Sequence, residues 1–274
     1  MRAARTQPAA DPFAAAAEAE AGYLRMCALQ DMGPAELARR LGGDPAQAAP
    51  WIAAAARYGL VEAQLRWGQM LLDGRGVEAD PAAALTWFEH AAKAGSPEAM
   101  NMAGRCHENG WGAAQDLARA ADLYRRAAEA GHDWGQYNYA NLLFDGRGVE
   151  PDVAAAVDGY RRAASQGHSR AMNLLARCYE EGWGVARDAA EALAWYRRSA
   201  EGGYFRAQFN YATILGALGQ VDAALGWFER ALDGATPDSR ASMARRLAGH
   251  ADRRLAELGR RCEAALAADV ETPA

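Results

Sequence analysis

AMNLLARCYEEGWGV, residues 171–185, has a near twin 72 residues earlier, AMNMAGRCHENGWGA at 99–113. Asn, Arg-Cys, Glu and Gly-Trp-Gly keep their slots in both copies. An unusual phrase written twice marks an internal repeat, and the period of that repeat decides the fold. The glycines in RYGL, KAGS, EAGH, SQGH and EGGY are Gly59, Gly95, Gly131, Gly167 and Gly203, each 36 residues after the last. The 72-residue echo is therefore two periods of an array whose units alternate in type.

Within a period, an Ala-rich stretch leads to Gly-x-Gly, an Asp follows, and a second Ala-rich stretch carries an aromatic ring. This reads as two antiparallel helices. The first runs from about Glu62 to Leu72 in the first full unit and stops at LLDGRGV; later copies stop at ENGWGA, FDGRGV and EEGWGV. Glycine reaches the left-handed conformation that ends a helix and lets the chain reverse. Asp80, Asp116, Asp152 and Asp188 fall in one register at the start of the second helix, where a carboxylate accepts from free N–H groups and suits the positive end of the dipole. Each cap contributes about 1 kcal/mol. The alanine pairs Ala91-Ala92, Ala127-Ala128 and Ala163-Ala164 permit close helix approach, and the rings of Phe88, Tyr124, Tyr160 and Tyr196 are expected to pack between units.

The frame A-Q-Y-N-x-A, D-G-R-G-V, Asp, W-Y-R-R-x-A-x-x-G resembles the Sel-one-like repeat, a relative of the tetratricopeptide repeat. QYNYANLLFDGRGV (136–149) and WYRRSAEGG (195–203) carry it most closely. The resemblance covers 59–203 and implies an all-α, right-handed superhelical solenoid of helix-turn-helix units. It also implies interaction or assembly roles, in bacteria often in signalling, envelope or stress pathways.

The flanks extend the plan. DPAQAAPWIAAAARYG (44–59) lies one period before DPAAALTWFEHAAKAG (80–95), so 44–58 reads as a degraded half repeat behind an N-terminal helical cap at 13–43. Four full repeats fill 59–203. Residues 204–235 form a shorter unit whose GALGQVD turn lacks Gly-x-Gly and looks like an ordinary tetratricopeptide turn. Residues 236–267 suit a C-terminal helical cap, because a solenoid end needs one polar face. Disorder is expected at 1–12 and in a tail at 268–274.

Half of the 274 residues are apolar, with alanine the commonest by far, and the formal net charge is −5. That balance gives no basic face for nucleic acid, so no nucleic-acid partner is expected. Lys93 is the sole lysine among many arginines, as in a GC-rich bacterial genome. The N-terminus lacks the apolar core of a secretory signal, and no apolar run reaches about 18 residues, so neither export nor membrane insertion is expected. Cys27, Cys106, Cys178 and Cys262 are too scattered for a disulfide framework, which places the chain in the cytoplasm. The disulfide per repeat of some secreted relatives is not matched by this spacing.

No enzyme signature is present. His90, His107, His132, His168 and His250 form no HExxH pair, no C-x-x-C zinc spacing occurs, and the Gly-x-Gly phrases lack the context of a dinucleotide or phosphate loop. Neither cofactor nor metal is expected. His132 and His168 share the slot after the repeat glycine and read as repeat consensus.

In this architecture the first helices of each pair line the concave face. Asn101, Arg105 and Glu108 share one helical stripe, and Asn173, Arg177 and Glu180 repeat it. Asn138 with Asn141, and Asn210 with Thr213, fall between and beyond them. Asparagine amides can grip the backbone of an extended peptide and arginine can hold a carboxylate, so the stripe is a candidate peptide site. The structural alternative has Asn138 and Asn210 bonding within the solenoid while Asn101 and Asn173 face solvent. In the turns, Arg75, Trp111, Arg147 and Trp183 alternate, which predicts guanidinium–indole stacking between neighbouring turns or an exposed binding edge.

The expected function is thus a non-enzymatic scaffold or adaptor that holds another protein or peptide, monomeric or weakly self-associating. Two alternatives stand beside it. MGPAELARRLGGDPAQAAPWIAAAARYGLV (32–61) superficially resembles a helix-turn-helix of a DNA-binding regulator. The open solenoid ends could instead support self-assembly.

Overall fold

The computed structural model describes residues 12–271, and among these the chain is fifteen α-helices with no strand. The first three helices are α1 (Pro12–Asp31), α2 (Pro34–Gly42) and α3 (Pro45–Arg57). The repeats follow as α4 (Val61–Asp73), α5 (Pro81–Lys93), α6 (Pro97–Asn109), α7 (Leu117–Glu129), α8 (Asp133–Asp145), α9 (Val153–Ser165), α10 (Ser169–Glu181) and α11 (Ala189–Glu201). Then come α12 (Phe205–Ala217), α13 (Val221–Gly234), α14 (Pro237–Ala248) and α15 (Arg253–Glu271). The tail expected from residue 268 is helical as far as Glu271, and Pro12 begins α1; the expectations for 1–11 and 272–274 lie outside the described residues. The chain divides into two compact units between Ala127 and Ala128, within α7.

In the first unit, α1 and α2 pack on α3, and α3, α4, α5 and α6 follow as successive neighbours. Helix α3 buries Ala48, Ala49 and Ile52 through Ala56, the face of a repeat helix. Side-chain carboxylates cap the second helices: Asp80 accepts from Ala83 N at 2.9 Å and Asp116 from Arg119 N at 2.9 Å. The backbone closes each turn as well, with Asp80 N donating to Leu71 O and Asp116 N to His107 O, both at 2.9 Å. Phe88 and Tyr124 are fully buried. Each ring lies against a glycine of the preceding helix: a Cβ on Gly68 or Gly104 would meet the ring at 2.7 Å, so ring and glycine are one packing device.

The Gly-x-Gly turn is explained by its contact with the previous repeat. Gly112 has φ +78°, and a Cβ there would fall 2.1 Å from the carbonyl oxygen of Pro81 at the start of α5. Gly76 meets Pro45 in the same way. The turn of one unit thus rests on the first turn of the second helix before it, which fixes the stacking step.

In the second unit, α8 through α13 pack in succession, α14 packs on α15, and α13 touches both. Asp152 and Asp188 cap α9 and α11 through Ala155 N and through Ala190 N and Glu191 N. Tyr160 and Tyr196 are buried. The pair α12–α13 is shorter because a single glycine, Gly219 (φ +77°), replaces the Gly-x-Gly turn. Its core passes into that of the last two helices through Phe209, Phe228, Leu247 and Leu255.

Candidate functional site

The echoed stripe stands in both units, and each copy can be followed atom by atom. In the first unit α6 carries it. Asn101 is buried at 6% exposure. Glu108 accepts the Tyr124 hydroxyl at 2.7 Å. Arg105 is half-buried, with Nη1 3.6 Å from Met102 Sδ and its guanidinium 5.4 Å from the Trp111 ring centre. Beside it, burial raises and the Arg119 and His107 contacts lower the Glu89 carboxyl, which ends below its ordinary value. Arg119 lies 2.6 Å from Glu89 and His107 Nε2 3.3 Å from it. Burial pushes the Cys106 thiol up to about 11, so it is an inert packing group.

In the second unit α10 carries the copy. Asn173, at 5% exposure, accepts from Asn210 Nδ2 at 3.0 Å. Glu180 accepts the Tyr196 hydroxyl at 2.6 Å, and Asn141 accepts that of Tyr160 at 2.9 Å. Thr213 donates to the Phe209 carbonyl at 2.8 Å. Asn138 is half-buried on α8. Asn101 and Asn173 therefore do not face solvent as the structural alternative supposed: helix packing closes over both. Three members of the expected peptide stripe, Glu108, Glu180 and Asn141, instead anchor the phenols of the packing tyrosines.

The turn expectation also changes. The guanidinium over Trp111 comes from Arg105 and not from Arg75, and the one over Trp183 comes from Arg177 at 5.1 Å. Each indole folds back onto the helix that precedes its turn, where an arginine one turn from the helix end is within reach. Trp183 also packs edge-on against Phe144 at 5.4 Å. Arg75 is exposed and lines a small hollow with Pro45 and Arg66, while Arg147 is half-buried in the turn after α8.

Part of the second copy opens onto a groove of about 530 Å³. One helix from each of four successive pairs contributes: α8, α10, α12 and α14. Tyr137, Leu174, Phe209 and Met243 give it apolar surface, and the Asn173–Asn210 amide pair lies among them. Four arginines line it: Arg170, Arg177, Arg206 and Arg246. No Asp or Glu does so among the described residues. All four are exposed, and each guanidinium sits over a ring: Arg170 5.3 Å from Trp134 and 5.9 Å from Tyr204, Arg177 over Trp183, Arg206 5.7 Å from Phe205, and Arg246 4.9 Å from Phe209. None makes an ion pair with a carboxylate among the described residues, whereas Arg161, Arg187, Arg197, Arg254 and Arg260 of the same unit all do.

Sequence reasoning found Asn173, Arg177 and Asn210 but missed Arg170, Arg206 and Arg246. A signal existed for the first two: just before the echoed phrase, Glu98 of the first copy is replaced by Arg170, and Arg206 follows in the same slot one 36-residue period later. His168, in the slot read as repeat consensus, is the N-cap of α10, its Nδ1 accepting from Ala171 N at 3.1 Å. Its ring stacks on Tyr137 at 4.7 Å, and burial lowers its pKa. In the matching slot of the first unit the cap is Ser96, accepting from Ala99 N.

Among the described residues no helix is long and apolar enough to cross a membrane, and no cluster of three or more His, Cys, Asp or Glu could hold a metal. All four cysteines are free.

The Oxalobacter formigenes Sel1 repeat protein matches the structure with a TM-score of 0.73 and 26% identity, over 83% of this chain and 96% of that one. The protective antigen c5321 of uropathogenic Escherichia coli, which has an SLR fold, matches at 0.68 with 27% identity over 90% of this chain; the chain spans only 53% of that protein. The Pseudomonas aeruginosa immunity protein PA5088, at 21% identity and a TM-score of 0.50 over 77% of this chain and 83% of that one, shares the fold alone. A comparison with curated proteins finds no sequence match. The Sel1 repeat model matches five times, at 61–96, 97–132, 135–168, 169–204 and 206–235, so it reaches the shortened unit that the sequence likened to a tetratricopeptide repeat. Most of the chain lies in these five matches, and the protein belongs to the Sel1 repeat family.

Proposed function

We propose that this protein is a non-enzymatic scaffold that holds a partner polypeptide, and that the groove on α8, α10, α12 and α14 is its contact surface in the second unit. Sel1 repeat proteins generally mediate protein–protein interaction, which supports the first part of the reading. The groove supports the second. Half-buried Tyr137 and Leu174 offer apolar contact for side chains, and its exposed arginines offer donors for an extended segment. The observation that carries the reading is that four successive helix pairs each give one helix to a single groove, a length suited to an extended segment. The free thiols fit a reducing, cytoplasmic setting, with the chain acting as a monomer or weakly self-associating.

A random peptide-display selection on the whole chain tests the groove. Ser242 lines it and is exposed, so Ser242→Trp should fill it without disturbing the core. Peptides selected on the wild type should lose at least about tenfold in affinity for this variant, a difference set by the lost contact area. Equal binding to both proteins would place the contact elsewhere.

A further inference from the structure

We infer that the segment taken by this groove is acidic: an extended peptide whose Asp and Glu carboxylates bind Arg170, Arg177, Arg206 and Arg246. The inference rests on the groove reading above and gives it a ligand chemistry. Its basis is charge complementarity together with the state of the four guanidinium groups.

A cation–π contact draws on the charge of the guanidinium and uses none of its N–H groups as a hydrogen bond to an acceptor atom, so donors of its fork remain for a planar acceptor. A carboxylate matches that fork with two parallel bonds. Because the rings of Trp134, Tyr204, Trp183, Phe205 and Phe209 already restrict these side chains, binding costs less ordering than it would for loose arginines. Four like charges around one groove, with no lining carboxylate, are mutually unfavourable, and an anionic occupant relieves this.

The helix also sets a spacing. Arg170 and Arg177 are two turns apart on α10, a rise of about 10 Å, the reach of roughly three residues of extended chain. The segment would therefore carry at least two acids a few residues apart, with apolar side chains between them for Tyr137 and Leu174. A nucleic-acid strand is also anionic, but Leu174 gives the groove an aliphatic contact that suits a peptide side chain better than a base.

The test uses the full chain and three labelled probes: a dodecapeptide of alternating Asp/Glu and Leu, its Asn/Gln isostere, and dodecathymidylate. The acidic peptide should bind the wild type and weaken by at least about tenfold in the Arg170→Gln, Arg177→Gln, Arg206→Gln, Arg246→Gln variant, since charge-assisted bonds are lost. Its affinity should also fall between about 50 and 300 mM salt, while the isostere binds weakly to both proteins. All four positions are exposed, and circular dichroism checks that the variant folds. Ser242→Trp gives a second arm that leaves every arginine in place. Equal binding of the isostere and the acidic peptide would overturn the inference, as would tighter, arginine-dependent binding of the oligonucleotide. If display peptides blocked by Ser242→Trp prove neutral or basic, the groove stands and its acidic specificity falls. If Ser242→Trp blocks nothing, the groove itself falls.

Discussion

The two copies of the echoed phrase have nearly the same residues and different surroundings. In the first unit Arg105 is half-buried against Met102 and Trp111, and the first turn of the same helix has Glu98 where the second unit has Arg170. In the second unit Arg177 is exposed, its neighbours on the groove are three further arginines, and no carboxylate balances them. The charge reversal from Glu98 to Arg170, with Arg206 and Arg246 on the neighbouring helices, thus gives the second copy a basic surround that the first copy's own helix lacks. The shared residues, Asn, Arg, Cys and Glu, largely serve the repeat: amides close between helices and carboxylates hold tyrosines.

The largest expected effects test the stacking step. Gly112→Ala puts a Cβ 2.1 Å from the Pro81 oxygen at positive φ, whereas Gly184→Ala meets the Val153 oxygen at 2.7 Å. Urea unfolding should show a loss of about 2–4 kcal/mol for Gly112→Ala and less for Gly184→Ala, from overpacking added to left-handed strain. Equal losses would mean that backbone strain alone decides both.

Binding comes next. Arg177→Gln should weaken the acidic dodecapeptide by roughly three- to tenfold, the net range of one hydrogen bond at a water-exposed site, while Arg105→Gln leaves it unchanged. Fluorescence anisotropy reads both. A matching loss at Arg105 would show that the two stripes are equivalent and that the charge at position 98 or 170 is irrelevant.

A smaller contrast concerns the tyrosines. Tyr124→Phe removes the donor from half-buried Glu108, and Tyr196→Phe removes it from exposed Glu180, which water can serve instead. The expected costs in thermal or chemical unfolding are about 1–2 kcal/mol for the first and under about 1 kcal/mol for the second.

The smallest effect is a pH dependence confined to the second unit. Burial lowers the His168 pKa, so the unfolded chain takes up a proton before the folded one does. Its contribution to stability is full above the ordinary histidine range and declines as pH falls from there towards the lowered folded value. His168→Asn keeps a capping side chain without the titration and should flatten this part of a melting-temperature profile between about pH 7.5 and 5. Ser96, the matching cap of the first unit, does not titrate there, so Ser96→Asn should leave the profile's slope unchanged.

By itself the sequence determined the period, the helix pairs, their Asp caps, the positive-φ glycines and the row of rings. Each of these is local chemistry repeated at a fixed interval, so a spacing of 36 residues reports it directly. Tertiary structure alone decided which polar residues stay available. Asn101 and Asn173 look like surface amides in the sequence, but helix packing buries them, and Glu108 and Glu180 find phenols sixteen residues away. The same packing gathers Arg170, Arg206 and Arg246 from three helices onto one groove; Arg170 and Arg206 share a repeat slot 36 residues apart, but Arg246 lies outside the period and only the fold brings it to them. Availability depends on what a side chain meets across helices, and that distance is set by the fold rather than by the period.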